Sequence, residues 1–246
     1  METGHGSHIG RLRRINQDSY TLGKTKDGAA YFAVADGLGG HKGGEIASRM
    51  IIDELDEFLT GFDASKSVAE GEIEEILKKR IKILNSHIMR KGRDDESLTG
   101  MGSTLTFCLL SGGEAHVFHV GDSRLYRIDD NVIEKITKDH SYVEELIDSG
   151  EITRDEAEHH PNKNLLTRAV GTDESLKVDY VKIQLRKEDI VLICSDGLTN
   201  YATEEEIKHI VLNNTSSQAV SKLIQTANDN GGGDNITAIV FKPEVY

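Results

Sequence analysis

Short, nearly continuous apolar runs alternate along this chain with longer stretches whose apolar residues recur at helical spacing. Residues 30–36 (Ala-Tyr-Phe-Ala-Val-Ala-Asp) are of the first kind and predict a buried strand. A glycine-rich stretch over 37–44 follows. Residues 45–60 are of the second kind, placing Ala47, Met50, Ile51, Leu55, Phe58 and Leu59 on one helical face. The spacing predicts a second amphipathic helix over 67–91, with Ile73, Ile76, Leu77, Ile81, Leu84 and Ile88 in one stripe. Both stripes are expected to face a core.

The pattern changes over 103–136. Four short apolar runs (104–110, 115–120, 125–128 and 132–136) are separated in part by Gly112-Gly113 and Asp129-Asp130-Asn131, the punctuation of antiparallel hairpins. Two more strands are expected at 178–185 and 189–194, and a last one at 236–241. Between them Thr203 and Glu206 stand at capping-box spacing ahead of Ile207, Ile210 and Val211, and a further helix carries Ala219, Val220, Leu223, Ile224 and Ala227. Residues 139–172 are polar, with short helical patterns at 141–149 and 153–159, and read as a long loop packed beside a site. Paired helices and meandering strands exclude a regular alternating parallel fold and point to antiparallel sheets covered by helices.

Composition narrows the function classes. The 246 residues suffice for a substantial core, and 37% hydrophobic with 29% charged residues suits a soluble globular protein. A formal net charge of −13 opposes a polyphosphate backbone, so nucleic-acid binding is not expected. There is no membrane-spanning run and no secretory leader pattern, so the expected location is cytoplasmic. Cys108 and Cys194 lie within apolar runs and read as buried thiols; neither has an arginine six residues downstream, as a cysteine phosphatase would require.

Four aspartates share one setting, each at the end or start of an apolar run with glycine close beside it: Asp36, Asp122, Asp196 and Asp234. Strand ends of this kind converge at one edge of a sheet. Carboxylates brought together repel, and a hard divalent cation with oxygen ligands relieves them. Each motif alone has a plainer reading. Residues 36–44 (Asp-Gly-Leu-Gly-Gly-His-Lys-Gly-Gly) suit a structural turn or an anion cradle at a helix start. Gly121-Asp122-Ser123-Arg124 suits a hairpin turn with a salt bridge. Ser195-Asp196-Gly197 suits a helix entry.

In order, Arg13-x-x-Asn16-Gln17-Asp18, Asp36-Gly37-x-Gly39-Gly40-His41, Gly121-Asp122-Ser123-Arg124, Ser195-Asp196-Gly197-Leu198 and Gly231-Gly232-x-Asp234-Asn235 form a specific set. The set resembles the metal-dependent protein serine/threonine phosphatases of the protein phosphatase 2C type, in their bacterial form, from about Ile9 to Phe241. The resemblance implies an α+β fold, a four-layer α-β-β-α sandwich of two packed antiparallel sheets flanked by helix pairs. Residues 1–246 would be one phosphatase domain, with a flap at about 139–172 that gates or selects substrate. It further implies two Mn2+ or Mg2+ ions and a third, weaker one. Asp36 would bridge the pair, the Gly37 carbonyl would bind one ion, Asp196 and Asp234 would hold the other, and Asp122 with Asp196 would take the third. Asp18 would act through coordinated water, and Arg13, with Arg14 adjacent, would grip the phosphate.

The chemistry implied is direct attack of activated water on phosphoserine or phosphothreonine, with no phosphoenzyme. Substrates would be phosphorylated Ser/Thr proteins, a cognate Ser/Thr kinase would be opposed, and a monomer is expected. Leu38 stands where animal members carry the histidine proposed as general acid; His41 is a candidate for that role, alongside coordinated water. His5, His8, His116, His119, His159 and His160 are not expected to be ligands. The competing class is a non-catalytic phosphoprotein-binding regulatory module of the same fold, which loss of the aspartates would mark; none is lost. Hydrolysis of a small phosphorylated metabolite stays open.

Overall fold

The computed structural model describes residues 1–69 and 71–244, the side chains of residues 40–42 excepted. The chain begins with β1 (Glu2–His8), β2 (Asp18–Lys24) and β3 (Ala30–Leu38), then α1 (Gly40–Thr60), α2 (Ala64–Ala69) and α3 (Ile73–Asp94). A meander follows: β4 (Gly102–Ser103), β5 (Leu105–Ser111), β6 (Glu114–Val120), β7 (Arg124–Ile128) and β8 (Ile133–Lys135). Residues 139–172 carry α4 (Tyr142–Asp148) and α5 (Arg154–Glu158). The last third holds β9 (Asp179–Gln184), β10 (Ile190–Cys194), α6 (Asp196–Thr199), α7 (Glu204–Leu212), α8 (Ser216–Asp229) and β11 (Ile236–Lys242).

Two antiparallel sheets result. One runs β1-β11-β10-β7-β8, the other β2-β3-β5-β6-β9, with β4 paired to β3. The central strands are apolar throughout because both their faces are buried, and alternation assigns each residue to a layer. On β3 and β5, Tyr31, Ala33, Ala35, Phe107 and Leu109 pack against Ile51 and Leu55 of α1 and Leu77 and Ile81 of α3. Phe32, Val34 and Cys108 point the opposite way and meet Val191, Ile193, Ile239 and Phe241 of the other sheet. On that sheet's far face Leu192, Cys194, Ala238 and Val240 pack beneath Ile207 and Val211 of α7 and Val220 and Leu223 of α8. Three stacked cores thus hold four layers, each fully buried large side chain contributing roughly 1.5–3 kcal/mol. The α-β-β-α order is the one the sequence implies.

Some boundaries differ from expectation. The glycine stretch 37–44 is mostly regular structure, since β3 runs through Leu38 and α1 starts at Gly40. The helix expected over 67–91 is two, α2 and α3, parted where Gly71 turns left-handed at φ 72°. β1 was not expected at all: it has no Val, Ile, Leu or aromatic residue, and pairing along the whole length of β11 makes it a strand. Among the described residues no helix is long and apolar enough to cross a membrane.

Antiparallel pairing places the start of β2, the end of β3, the β6–β7 turn, the end of β10 and the start of β11 at one end of the sandwich. Every expected aspartate lies there.

Candidate metal centre

Asp36 stands directly opposite Asp18 across the β2–β3 ladder. Its main chain is pinned: its N–H donates to Thr104 Oγ1 (2.9 Å), and its carbonyl accepts from the Thr104 N–H (2.8 Å) and Ser103 Oγ (2.9 Å). The carboxyl is left to line a cleft of about 560 Å3 that also takes in Arg13, Arg14, Gly37, Asp122, Asp196 and Asp234. Gly37 is fixed by close approach. A Cβ there would stand 2.0 Å from the Gly44 carbonyl oxygen, so only glycine lets the first turn of α1 come this near.

The other acids arrive from separate elements. Asp122 lies in the β6–β7 turn, Asp196 opens α6, and Asp234 precedes β11. Asp18 Oδ2 accepts from Ser195 Oγ (2.7 Å) and Thr237 Oγ1 (2.6 Å), while its Oδ1 is buried with no hydrogen-bond partner. Asp196 is similar: Oδ2 accepts from Asn200 Nδ2 (3.0 Å), and Oδ1 is buried and unpartnered. Asp234 is engaged by Arg13, whose Nη2 donates to its Oδ2 (2.7 Å) while Nε reaches the Gly233 carbonyl (3.2 Å).

Electrostatics follows from this crowding. Burial raises the Asp36 carboxyl well above the usual range, and the charges of Asp18, Asp196, Asp122 and Asp234 push it further. Burial, then Asp196 and Asp139, raise Asp122. Burial, then Asp234, raise Asp196, with a hydrogen bond from Asp36 acting against them. Asp18 is raised to about 7 by burial first, its two hydroxyl donors pulling it down. Among the described residues no cation is ion-paired with these four carboxyls; the charge of Arg124 pulls Asp122 and Asp196 down, but its guanidinium forks onto Asp139, with Nη2 at 2.7 Å and Nε at 3.0 Å from Oδ2.

Sequence reasoning left several site residues without a role. Ser195 and Thr237 hold Asp18, and Thr104 fixes Asp36. Asn235 knots the N-terminal loop to β11, donating to the Ile9 and Ile15 carbonyls (2.9 and 3.0 Å) and accepting from the Gln17 N–H (2.8 Å). The Asp-Asn and Asn-Gln-Asp motifs were the only signal. His41 has its backbone in the first turn of α1, and its side chain lies outside the described residues. His119 serves structure, bonded to Thr106 Oγ1 (2.9 Å) and the Lys138 carbonyl (3.0 Å), and His116 bonds Tyr180 Oη (2.9 Å).

A family model described as protein phosphatase 2C matches residues 6–239. The chain belongs to the protein phosphatase 2C family. The serine/threonine phosphatase Stp of Listeria monocytogenes is 35% identical over 237 residues, 96% of this chain and 93% of that protein. Protein phosphatase PhpP of Streptococcus pneumoniae is 34% identical over 238 residues, 96% of this chain and 95% of its own length. The solved serine/threonine phosphatase of S. agalactiae superposes with a TM-score of 0.93 at 33% identity, covering 98% of this chain and 99% of that one. A bacterial serine phosphatase with one arginine replaced by lysine reaches 0.94 at the same 33% identity. Two antiparallel sheets with flanking helices are common to this family and this chain.

Membership implies a divalent metal, and the residues fit one. The donors are all oxygen, two buried carboxylate oxygens have no partner, and burial with mutual repulsion disfavours charge on Asp36, Asp122 and Asp196. Among the described residues no three acids, histidines or cysteines close on one point as a ligand set. Spaced carboxylates along a cleft suit a hard ion that keeps much of its water, as Mg2+ does.

Proposed function

We propose that this chain hydrolyses phosphoserine and phosphothreonine in proteins with two divalent cations, Mn2+ or Mg2+, and that residues 1–246 act as one catalytic unit with a flap at about 139–172. The observation that carries the reading is the half-buried carboxyl cluster at one end of the sandwich, opening on a cleft edged by Arg13 and Arg14. When bound, the ions neutralise phosphoryl oxygens and bring a water's pKa toward neutrality. Asp36 and the Gly37 carbonyl, with Asp196 and Asp234, are the proposed ligands of the pair; Asp122 with Asp196 would hold a third, weaker ion.

The chain's own residues do the rest. Arg13 presents a fork of donors that matches phosphoryl oxygens, where charge gathers in the transition state. Its present partner is Asp234, so phosphate engagement and the freedom of that carboxylate are linked. Asp18, held by two hydroxyls, orients water beside Asp36. The leaving oxygen takes its proton from His41 or from water. The substrates are phosphorylated proteins, opposed by a Ser/Thr kinase, and the protein acts in the cytoplasm as a monomer.

Turnover of a phosphothreonine peptide and of p-nitrophenyl phosphate is expected with Mn2+ and should vanish with chelator. Hydrolysis that survives full chelation would sink the metal mechanism. A folded sample inactive with either ion would favour the non-catalytic module.

A further inference from the structure

His140 has no part in the chemistry above, yet it is buried at the neck of the flap and joins three other segments. Its N–H donates to the Gly121 carbonyl (2.7 Å), and its Nδ1 accepts from the Gly121 N–H (3.0 Å). Its carbonyl accepts from the Thr167 N–H (2.9 Å), where the flap returns, next to the bridge between Ser141 and Leu166. Its Nε2 lies 3.1 Å from Asp179 Oδ2 at the start of β9.

The proton's place on the ring follows from these partners. A backbone N–H only donates, so Nδ1 is bare and the neutral ring carries its hydrogen on Nε2, which donates to Asp179. Arg168 Nη1 lies 3.0 Å from the same Nε2 but has no lone pair to offer; one of its two hydrogens goes to Asp179 Oδ1 at 2.6 Å, so the carboxylate is the acceptor both groups share. A proton on Nδ1 would set two donors face to face. Burial lowers the ring's proton affinity in the same sense.

We propose that His140 is a positioning residue, a latch that fixes the Gly121–Asp122 turn to the flap neck and, through Asp179, to β9. The placement of the Asp122 carboxyl then follows the flap, and a flap that shifts on meeting substrate moves Asp122 with it. The effect on turnover rests on the phosphatase reading; the latch itself does not.

The test compares His140→Ala, His140→Asn and Asp179→Ala in the full chain with Mn2+. Asparagine keeps an acceptor near Gly121 but is too short for Asp179. Amide exchange is expected to rise across 121–123 and 166–168 in His140→Ala, with kcat lowered about tenfold and KM little changed. His140→Asn should restore protection at Gly121 and part of kcat, while leaving 166–168 exposed. Asp179→Ala also frees Arg168, so it is expected to raise exchange at 166–168 by itself, but added to His140→Asn it should take no further protection from Gly121. At neutral pH an imidazole 15N spectrum of the parent protein should show hydrogen on Nε2. Hydrogen on Nδ1, unchanged exchange and kcat in His140→Ala, or a further loss of protection at Gly121 when Asp179→Ala is added to His140→Asn would overturn the proposal. The last comparison decides should His140→Ala fail to fold. A parent protein inactive on p-nitrophenyl phosphate would instead sink the phosphatase reading, leaving the exchange and spectral results to judge the latch.

Discussion

Asp36 sits where burial and four neighbouring carboxylates all oppose its charge. That cost is expected to make it both indispensable and destabilising. Asp36→Asn should abolish turnover and weaken Mn2+ binding, yet in chelator at pH 8 it should melt above the parent. A parent that melts higher would show the cluster to be relieved by the protein alone. Asp18 gives a pH dependence. Folding raises its pKa from 3.8 to about 7, so the folded form holds the proton more tightly than the unfolded chain. The resulting stabilisation is complete below about 3.8 and is lost as pH climbs toward 7. In chelator, the share of stability that Asp18→Asn removes should therefore shrink across that window, and saturating Mn2+ should flatten the trend.

Elements were legible in proportion to how much of their fate is local. Central strands such as β3 and β10 declare themselves, since burial on both faces leaves continuous apolar runs. β1 was invisible because its strand character comes wholly from β11, more than two hundred residues away. The site divides in the same way. The aspartates were legible from their glycine neighbours and strand ends, whereas Ser195 and Thr237 became site residues only when register set them against Asp18. The pairing of Arg13 with Asp234 and the reach of His140 to Asp179 are long-range too, and no spacing rule encodes them. Between the sheets, Phe32 and Phe241 stack with centroids 3.9 Å apart and planes 5° from parallel. Phe241→Ala is expected to cost about 3–5 kcal/mol in chemical denaturation. A loss under 1 kcal/mol would mean that the sheets reclose over the gap.

Over the whole molecule, a net charge of −13 acts on every encounter with substrate. Phosphopeptides with lysine and arginine flanks should show higher kcat/KM than acidic-flanked ones at low salt. The gap should narrow as ionic strength rises from about 0.05 to about 0.5 M, since the Debye length falls several-fold over roughly that range. A gap indifferent to salt would assign the preference to contacts within the cleft.

The carboxylates of the centre come from both sheets: Asp18 and Asp36 from one, Asp196 and Asp234 from the other, with Asp122 on the turn that crosses between them. An ion bound among them is therefore a cross-tie at one end of a sandwich whose middle is held chiefly by apolar side-chain packing. Ligand affinity and sheet cohesion become two readings of one free energy, and linkage makes the relation reciprocal. Loosening the Phe32–Phe241 stack, away from the acids, should then weaken ion binding, and scarcity of the ion should soften the fold. The supply of divalent cation would set how long each molecule lasts, as well as how fast it works.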